Sequence, residues 1–263
     1  MKSIVITGST RGIGYGMAEA FLARGCGVVI SGRTEASTQE AISRLGNSYP
    51  PERILAQPCP VEDPAAVQTL WDAASQHFGH VDIWINNAGI SGPQSEVWTY
   101  SSDEAVGIVN TNILGTIFGA QTAVRGMLTQ GYGAIYNLAG FGSNGSTRVG
   151  MALYGTSKAG ISYFTKALAK ELRDSPLIIG ALQPGMVITE MVMQHYVDKP
   201  DELARVRGIF NIIADRVENV TPWLVERMLA NRKSGSVLAY APMWKLLPRF
   251  LLAPVSRRDV FAS

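Results

Sequence analysis

A single doubly wound α/β domain, one parallel sheet flanked by helices, is predicted for this chain of 263 residues by three observations. Short apolar runs that read as buried strands alternate with helix-period segments along almost the whole length. A glycine-rich turn joins the first strand to the first helix. Neither an internal repeat nor an interdomain linker interrupts the alternation, so residues 1–263 read as one unit.

Composition narrows the function classes. Hydrophobic residues make up 46% and charged residues 17%, a soluble globular balance, and the net charge of +2 gives no strong pull toward nucleic acid. Cys26 and Cys59 lie in strand-like runs without metal-ligand spacing, so buried free thiols in a reducing compartment are expected, and no metal. Lys2 leads at once into a strand, and no apolar run reaches the length of a membrane span. A cytoplasmic location is the expectation.

The first strand covers residues 3–8, Ser-Ile-Val-Ile-Thr-Gly, and the helix after it carries Met17, Ala20, Phe21 and Leu22. Between them runs Thr7-Gly8-Ser9-Thr10-Arg11-Gly12-Ile13-Gly14. Gly8, Gly12 and Gly14 let backbone approach a pyrophosphate at the helix N-terminus, which points to a dinucleotide. The second strand, Gly27 to Ser31, ends in Gly32-Arg33, where a carboxylate for a ribose 2′-hydroxyl is absent. Arg33 and Arg11 instead offer forked cations to a 2′-phosphate, which favours NADP(H) over NAD.

A helix from Glu35 to about Leu45 precedes the third strand, Arg53 to Pro58. Asp63 and Pro64 form a cap and first-turn proline for a helix to about Phe78. The fourth strand, Val81 to Ile85, runs into Asn86-Asn87-Ala88-Gly89, a polar turn at a strand's carboxyl end, where open parallel sheets bind ligands. One long helix is expected over Asp103 to Met127, with Asn112 bending it around a bound water. The fifth strand, Ala134 to Leu138, opens into the glycine-rich loop 139–145.

A helix then runs from Tyr154 to about Arg173 and carries Tyr154-Gly-Thr-Ser-Lys158 at its front. Residues four apart share one helical face, so the phenol and the ammonium can meet in one cleft. A nearby cation favours phenolate, and Tyr154 reads as a proton donor to a developing alkoxide. The sixth strand, Ile178 to Leu182, ends at Pro184-Gly185-Met-Val187-Ile-Thr189. Residues 190–220 read either as a surface helix pair or as an apolar lid containing Met191, Met193, Tyr196, Phe210, Ile212 and Ile213. Thr221-Pro222 caps a helix to about Arg232, and Ser236 to Ala241 is a last strand. The tail, residues 242–263, is apolar with basic residues and docks on the fold, a second subunit or a membrane surface.

Taken together, Thr7-Gly-x-x-x-Gly-x-Gly14, Asn86-Asn-Ala-Gly89, Asn112, Tyr154-x-x-x-Lys158 and Pro184-Gly185 resemble the short-chain dehydrogenase/reductase family, with its Rossmann-type fold, over nearly the whole chain. The resemblance implies that Tyr154 is the general acid, that Lys158 holds the nicotinamide ribose and lowers the Tyr154 pKa, and that Asn112 orients a water. It implies that Asn87, Ala88, Gly89, Pro184, Val187 and Thr189 line the nicotinamide half of the cofactor, and that a homodimer or homotetramer forms through the long helices.

Two departures stand out. Cys59-Pro60-Val61 replaces the family's acidic residue, leaving the adenine to backbone atoms, Val61 included. Asn137-Leu-Ala-Gly140 lacks the family's serine, for which Ser143 is the near replacement, unless the loop simply makes room for a bulky substrate. This second departure, with the 140–145 loop, Pro184-Gly-Met-Val-x-Thr189 and Phe210-Asn-Ile-Ile-Ala214, is similar to the chlorophyll b reductase subgroup. NADPH-dependent reduction of a formyl group on a large hydrophobic tetrapyrrole is the implied activity. The alternatives are a dehydrogenase or reductase of a smaller ketone, steroid or lipid alcohol, and an NADPH-binding protein with little turnover.

Overall fold

The computed structural model describes residues 1–253 and 258–261. Its core is a seven-stranded, all-parallel sheet in the order β3-β2-β1-β4-β5-β6-β9. The strands are β1 (Ser3–Ile6), β2 (Gly27–Ile30), β3 (Ile54–Ala56), β4 (Ile83–Asn86), β5 (Gly133–Leu138), β6 (Leu177–Gln183) and β9 (Ser236–Ala239). Ile4 stands opposite Val28 on one side and Ile83 on the other, so the order reverses at β1, and a crevice opens there at the strands' carboxyl ends.

Both faces are covered, and the strands show it residue by residue. Ile4, Ile6, Val28 and Ile30 pack with α1 (Gly12–Leu22), α2 (Glu35–Gly46) and α9 (Val217–Ala230), while Val5, Val29, Trp84 and Ile135 face α3 (Pro64–Phe78) and α5 (Gly115–Gln130). Period-two alternation between two apolar faces is why these runs are continuously hydrophobic rather than alternating with polar residues. Asp63 caps α3 by accepting from the Ala65 N–H at 2.9 Å. Both cysteines are buried and free, and burial pushes the Cys59 thiol up to about 12.

Three expectations on local structure are corrected. The single helix over Asp103 to Met127 is α4 (Ser102–Ile108), a π-helical turn at Val109–Leu114, and α5. The widened turn lets the Asn112 side chain reach Ile90 and Ser157, and the Asn112 carbonyl accepts from Thr116 Oγ1 at 2.7 Å. The helix α9 begins at Val217, one turn before Thr221-Pro222; the Thr221 hydroxyl donates back to the Val217 carbonyl at 2.9 Å rather than capping an N–H. The strand β3 is shorter than expected because Pro51–Arg53 forms a 3₁₀ turn.

After β6 the chain forms β7 (Met186–Ile188), α7 (Glu190–Met193), α8 (Pro200–Ile213) and β8 (Ala214–Arg216), with β7 and β8 paired in parallel as a separate two-stranded sheet. Tyr196 and Phe210 do not face outward: they pack edge to face at 5.9 Å in a small core of their own with Ala214 and Val260. The last helix, α10 (Met243–Leu252), docks on the fold through its charges. Lys245 Nζ donates to the Tyr240 carbonyl at 3.2 Å, and Arg249 pairs with buried Asp215 at 2.8 Å. Its Trp244 and Leu251 stay exposed. The expected tail extends over 254–257 and 262–263, which lie outside the described residues.

Candidate active site

The glycine turn is held against the Asn87-Ala88 turn by a lattice of short bonds. Thr7 Oγ1 accepts from the N–H groups of Asn87 and Ala88 at 3.0 and 3.1 Å, and Asn87 Nδ2 donates to the Thr7 and Gly8 carbonyls at 2.9 Å each. Contact here is so close that a Cβ on Gly8 would meet the Ala88 Cα at 2.8 Å, and one on Gly14 the Gly8 carbonyl at 2.4 Å. Gly8 and Gly12 have φ of 63° and 56°, a backbone that favours glycine. No side chain caps the first turn of α1, so its leading N–H groups are left for an anion.

Ser9 corrects an expectation. Its hydroxyl donates to the Ile6 carbonyl at 2.7 Å and accepts from the Ser31 N–H at 2.9 Å, and its own N–H bonds the Ser31 carbonyl at 2.7 Å. Fully buried between β1 and β2, it fixes the turn and has no donor left for a phosphate. Gly32 is closed to larger residues, since a Cβ there would stand 2.5 Å from Thr10 Cγ2 and 3.0 Å from Ser37 Oγ. Arg33 is exposed and makes no ion pair among the described residues. Arg11 pairs with Glu190 at 3.3 Å; both are exposed, and such a pair holds by no more than about 1 kcal/mol, so phosphate can displace it.

Thr189 lies beside Gly12, its Cγ2 3.6 Å from a Cβ built there, which brings the Pro184 to Thr189 stretch against the glycine turn. Gly185 turns the chain with φ of 79° between β6 and β7. Val187 and Val61 are buried apolar side chains, so only their backbones are open to a ligand. Ile13 packs against the core and likewise offers only its N–H.

Helix α6 (Ala152–Glu171) supplies the reactive pair. Lys158 is 4% exposed; its Nζ lies 5.7 Å from the Tyr154 ring centroid and donates to the Leu138 carbonyl at 3.2 Å. Burial lowers the Lys158 pKa to about 8 and pushes the Tyr154 phenol up to about 12. The Tyr154 pKa is thus raised and not lowered as expected, because burial disfavours the phenolate. Asn112 anchors the neighbouring loop: its Oδ1 accepts from the Ile90 N–H at 2.8 Å, and its Nδ2 donates to the Ile90 carbonyl and to Ser157 Oγ. Both ends of that amide are engaged, so its side chain positions the 90-loop and Ser157.

Gly140 stands where the missing serine would be. A Cβ there would sit 2.7 Å from Tyr154 Oη and 3.2 Å from Lys158 Cγ. Ser143 is close, but its hydroxyl donates to the Gly140 carbonyl at 2.7 Å and accepts from the Gly140 N–H at 2.9 Å. Its one proton is already committed.

This arrangement of uncapped helix, close glycine turn and Tyr-Lys pair matches a known protein group. The profile described as short chain dehydrogenase covers residues 2–200. The chain belongs to that family. It is 32% identical over 271 residues to a probable chlorophyll(ide) b reductase of Oryza sativa subsp. japonica, covering 97% of this chain and 52% of the relative. A chlorophyll(ide) b reductase of Arabidopsis thaliana is 33% identical over 240 residues, covering 89% of this chain and 67% of that protein. The chain therefore spans about half to two thirds of these relatives' lengths. Among solved structures, ElxO with NADP bound superposes with a TM-score of 0.79 at 29% identity, over 90% of this chain and 96% of that one. The short-chain dehydrogenase reading thus places this protein among oxidoreductases, with the Rossmann-type sheet that its sequence predicted.

Several residues of the site escaped the sequence reading. His195 Nε2 lies 3.1 Å from Ser91 Oγ, tying the 194–196 turn to the loop after β4. Ser157 steadies Asn112, and Thr10 fills the space that an acid at position 32 would need. His195 belongs to no motif, whereas Ser157 lies within Tyr154-Gly-Thr-Ser-Lys158 and Thr10 within the glycine turn expected to hold the cofactor, where only their packing partners went unread. No helix among the described residues is long and apolar enough to cross a membrane.

Proposed function

We propose that this protein is an NADPH-dependent carbonyl reductase acting on a large hydrophobic substrate, with the formyl group of a chlorophyll b-type tetrapyrrole first among candidates. The observation that carries the reading is the absence of a side chain against the phenol: Gly140 lies so close that even a Cβ there would stand 2.7 Å from Tyr154 Oη, so nothing from the 139–145 loop competes with a bulky substrate for that hydroxyl. The similarity to chlorophyll(ide) b reductases supports the same substrate class.

The residues fit the cofactor. Gly8, Gly12 and Gly14 with the uncapped start of α1 cradle a pyrophosphate, Arg33 and Arg11 meet a 2′-phosphate, and the spare Lys158 donors suit a ribose diol. The bound dinucleotide supplies a hydride to the carbonyl carbon. Tyr154, protonated at neutral pH, gives its proton to the carbonyl oxygen, and the two additions convert a formyl group to hydroxymethyl. Lys158, protonated below about pH 8, then stabilises the tyrosinate until solvent returns the proton.

Incubation with NADPH and a panel of carbonyl compounds tests this. Reduction of a formyl chlorin is the expected result. Turnover of a small ketone alone would shift the substrate class, and tight NADPH binding without any turnover would favour a binding protein.

A further inference from the structure

We propose that the cleft beside the reactive pair binds a carboxylate, so that the substrate carries its carbonyl and a free acid group on one scaffold. The inference rests on the carbonyl-reductase reading and names a feature of its substrate. The cleft, of about 320 Å³, lies between residues 94–96 and 148–150 on one side and the 195–206 segment on the other. Arg148, Lys199 and Arg205 line it, against Glu96 and Glu202.

These charges do not cancel. Lys199 and Glu202 pair loosely at 3.7 Å, whereas Arg148 and Arg205 make no ion pair among the described residues. His195, at the inner wall, has its pKa lowered first by burial and then by Lys199 and Arg148, so the field there is positive and the imidazole is neutral at pH 7. Two forked donors with no partner, set around a concave space, match a planar carboxylate.

The loop after β4 connects the cleft to the reaction site: a Cβ on Gly89 would lie 3.6 Å from Lys158 Nζ, and two residues on, Ser91 bonds His195 in the cleft wall at 3.1 Å. Segment 148–150 leads directly into α6, where the Gly155 N–H bonds the Met151 carbonyl at 2.7 Å. His195 contacts Ser91, one residue beyond the Ile90 that Asn112 holds. On this proposal a ligand with its carbonyl at Tyr154 reaches along the loop after β4 and sets its far end in the cationic cleft. The cofactor's own phosphates are not candidates for this place, because neither the glycine turn at the start of α1 nor Arg11 or Arg33 lines the cleft.

Fluorescence titration of the NADP⁺-loaded protein with matched acid and methyl-ester pairs tests the proposal. One pair is built on a formyl chlorin and one on a keto steroid. The acid of at least one scaffold is expected to bind about tenfold more tightly than its ester, the preference shrinking at high salt and approaching 1 in the exposed double variant Arg148→Gln/Arg205→Gln. Equal binding of acid and ester, an acid preference that survives the double variant, or binding of neither scaffold would overturn it. A steroid acid bound and preferred while chlorins neither bind nor react would leave the carboxylate cleft standing and remove the tetrapyrrole reading. Chlorin reduction with no acid preference would do the reverse.

Discussion

Gly140 and Tyr154 face each other so closely that a Cβ on residue 140 would lie 2.7 Å from the tyrosine hydroxyl. Real Cβ atoms do not approach so near, and any side chain here displaces the phenol or the backbone that carries it. Gly140→Ser, which restores the serine usual in the family, is expected to raise KM about tenfold for a bulky substrate without improving kcat. Steady-state kinetics decide it; a gain in kcat would show that the bare glycine has no role.

Tyr154→Phe removes the proton donor and leaves the pyrophosphate cradle untouched. Turnover is expected to fall below detection, while NADPH affinity by fluorescence titration stays within about twofold. Residual activity near wild type would assign the proton to another group.

Ser143 bonds Gly140 in both directions and has no proton left for a substrate. Ser143→Ala is therefore expected to change kcat by less than about threefold, with a small loss in thermal stability from the loosened turn. A hydroxyl that stabilises an oxyanion is worth roughly 100- to 1000-fold, so a drop of that size would make Ser143 a catalytic residue.

Lys158 is buried with one carbonyl partner, and its pKa is lowered from 10.5 to about 8. The folded protein binds fewer protons than the unfolded chain between those values. Stability contributed by this group therefore rises from about pH 8 to 10.5 and is least below 8, where the charged form stays buried. Lys158→Met should abolish turnover yet stabilise the protein without cofactor at pH 7, by up to about 3 kcal/mol. Denaturant titration checks this, and destabilisation would mean that the ammonium is better solvated than its burial implies. In the wild type, kcat/KM should decline above about pH 8 as the ammonium deprotonates.

Arg33 is expected to give NADPH at least about a tenfold advantage over NADH, roughly 1.4 kcal/mol. Arg33→Ala should remove most of that difference by weakening NADPH alone. Competitive titration with the two cofactors reads the ratio directly, and an NADH preference in the wild type would cancel the argument from Gly32.

The sheet and the reactive pair were legible because each has a local signature. Continuous apolar runs marked β1, β4 and β6, and a four-residue spacing put Tyr154 and Lys158 on one face of α6. What escaped depends on partners distant in sequence. Ser9 belongs to the turn expected to hold the cofactor, but its hydroxyl is engaged by Ile6 and Ser31, and the rise in the Tyr154 pKa comes from burial that spacing cannot reveal. The strand β8 is three residues long, too short for alternation to show, and the cationic cleft assembles from three separated segments.

The parallel pairing of Met186 with Ala214 and of Ile188 with Arg216 fastens the two ends of the 189–213 excursion to neighbouring strands, one short strand's length apart. A chain whose ends are stapled together has already met its closure requirement, and each doubling of its length costs only about 0.6 kcal/mol more. The excursion is in this sense a cassette. Helices of different length or composition can be grafted between β7 and β8 while the parallel sheet beneath is left as it was, which gives both protein engineers and natural selection a place to exchange one set of walls for another.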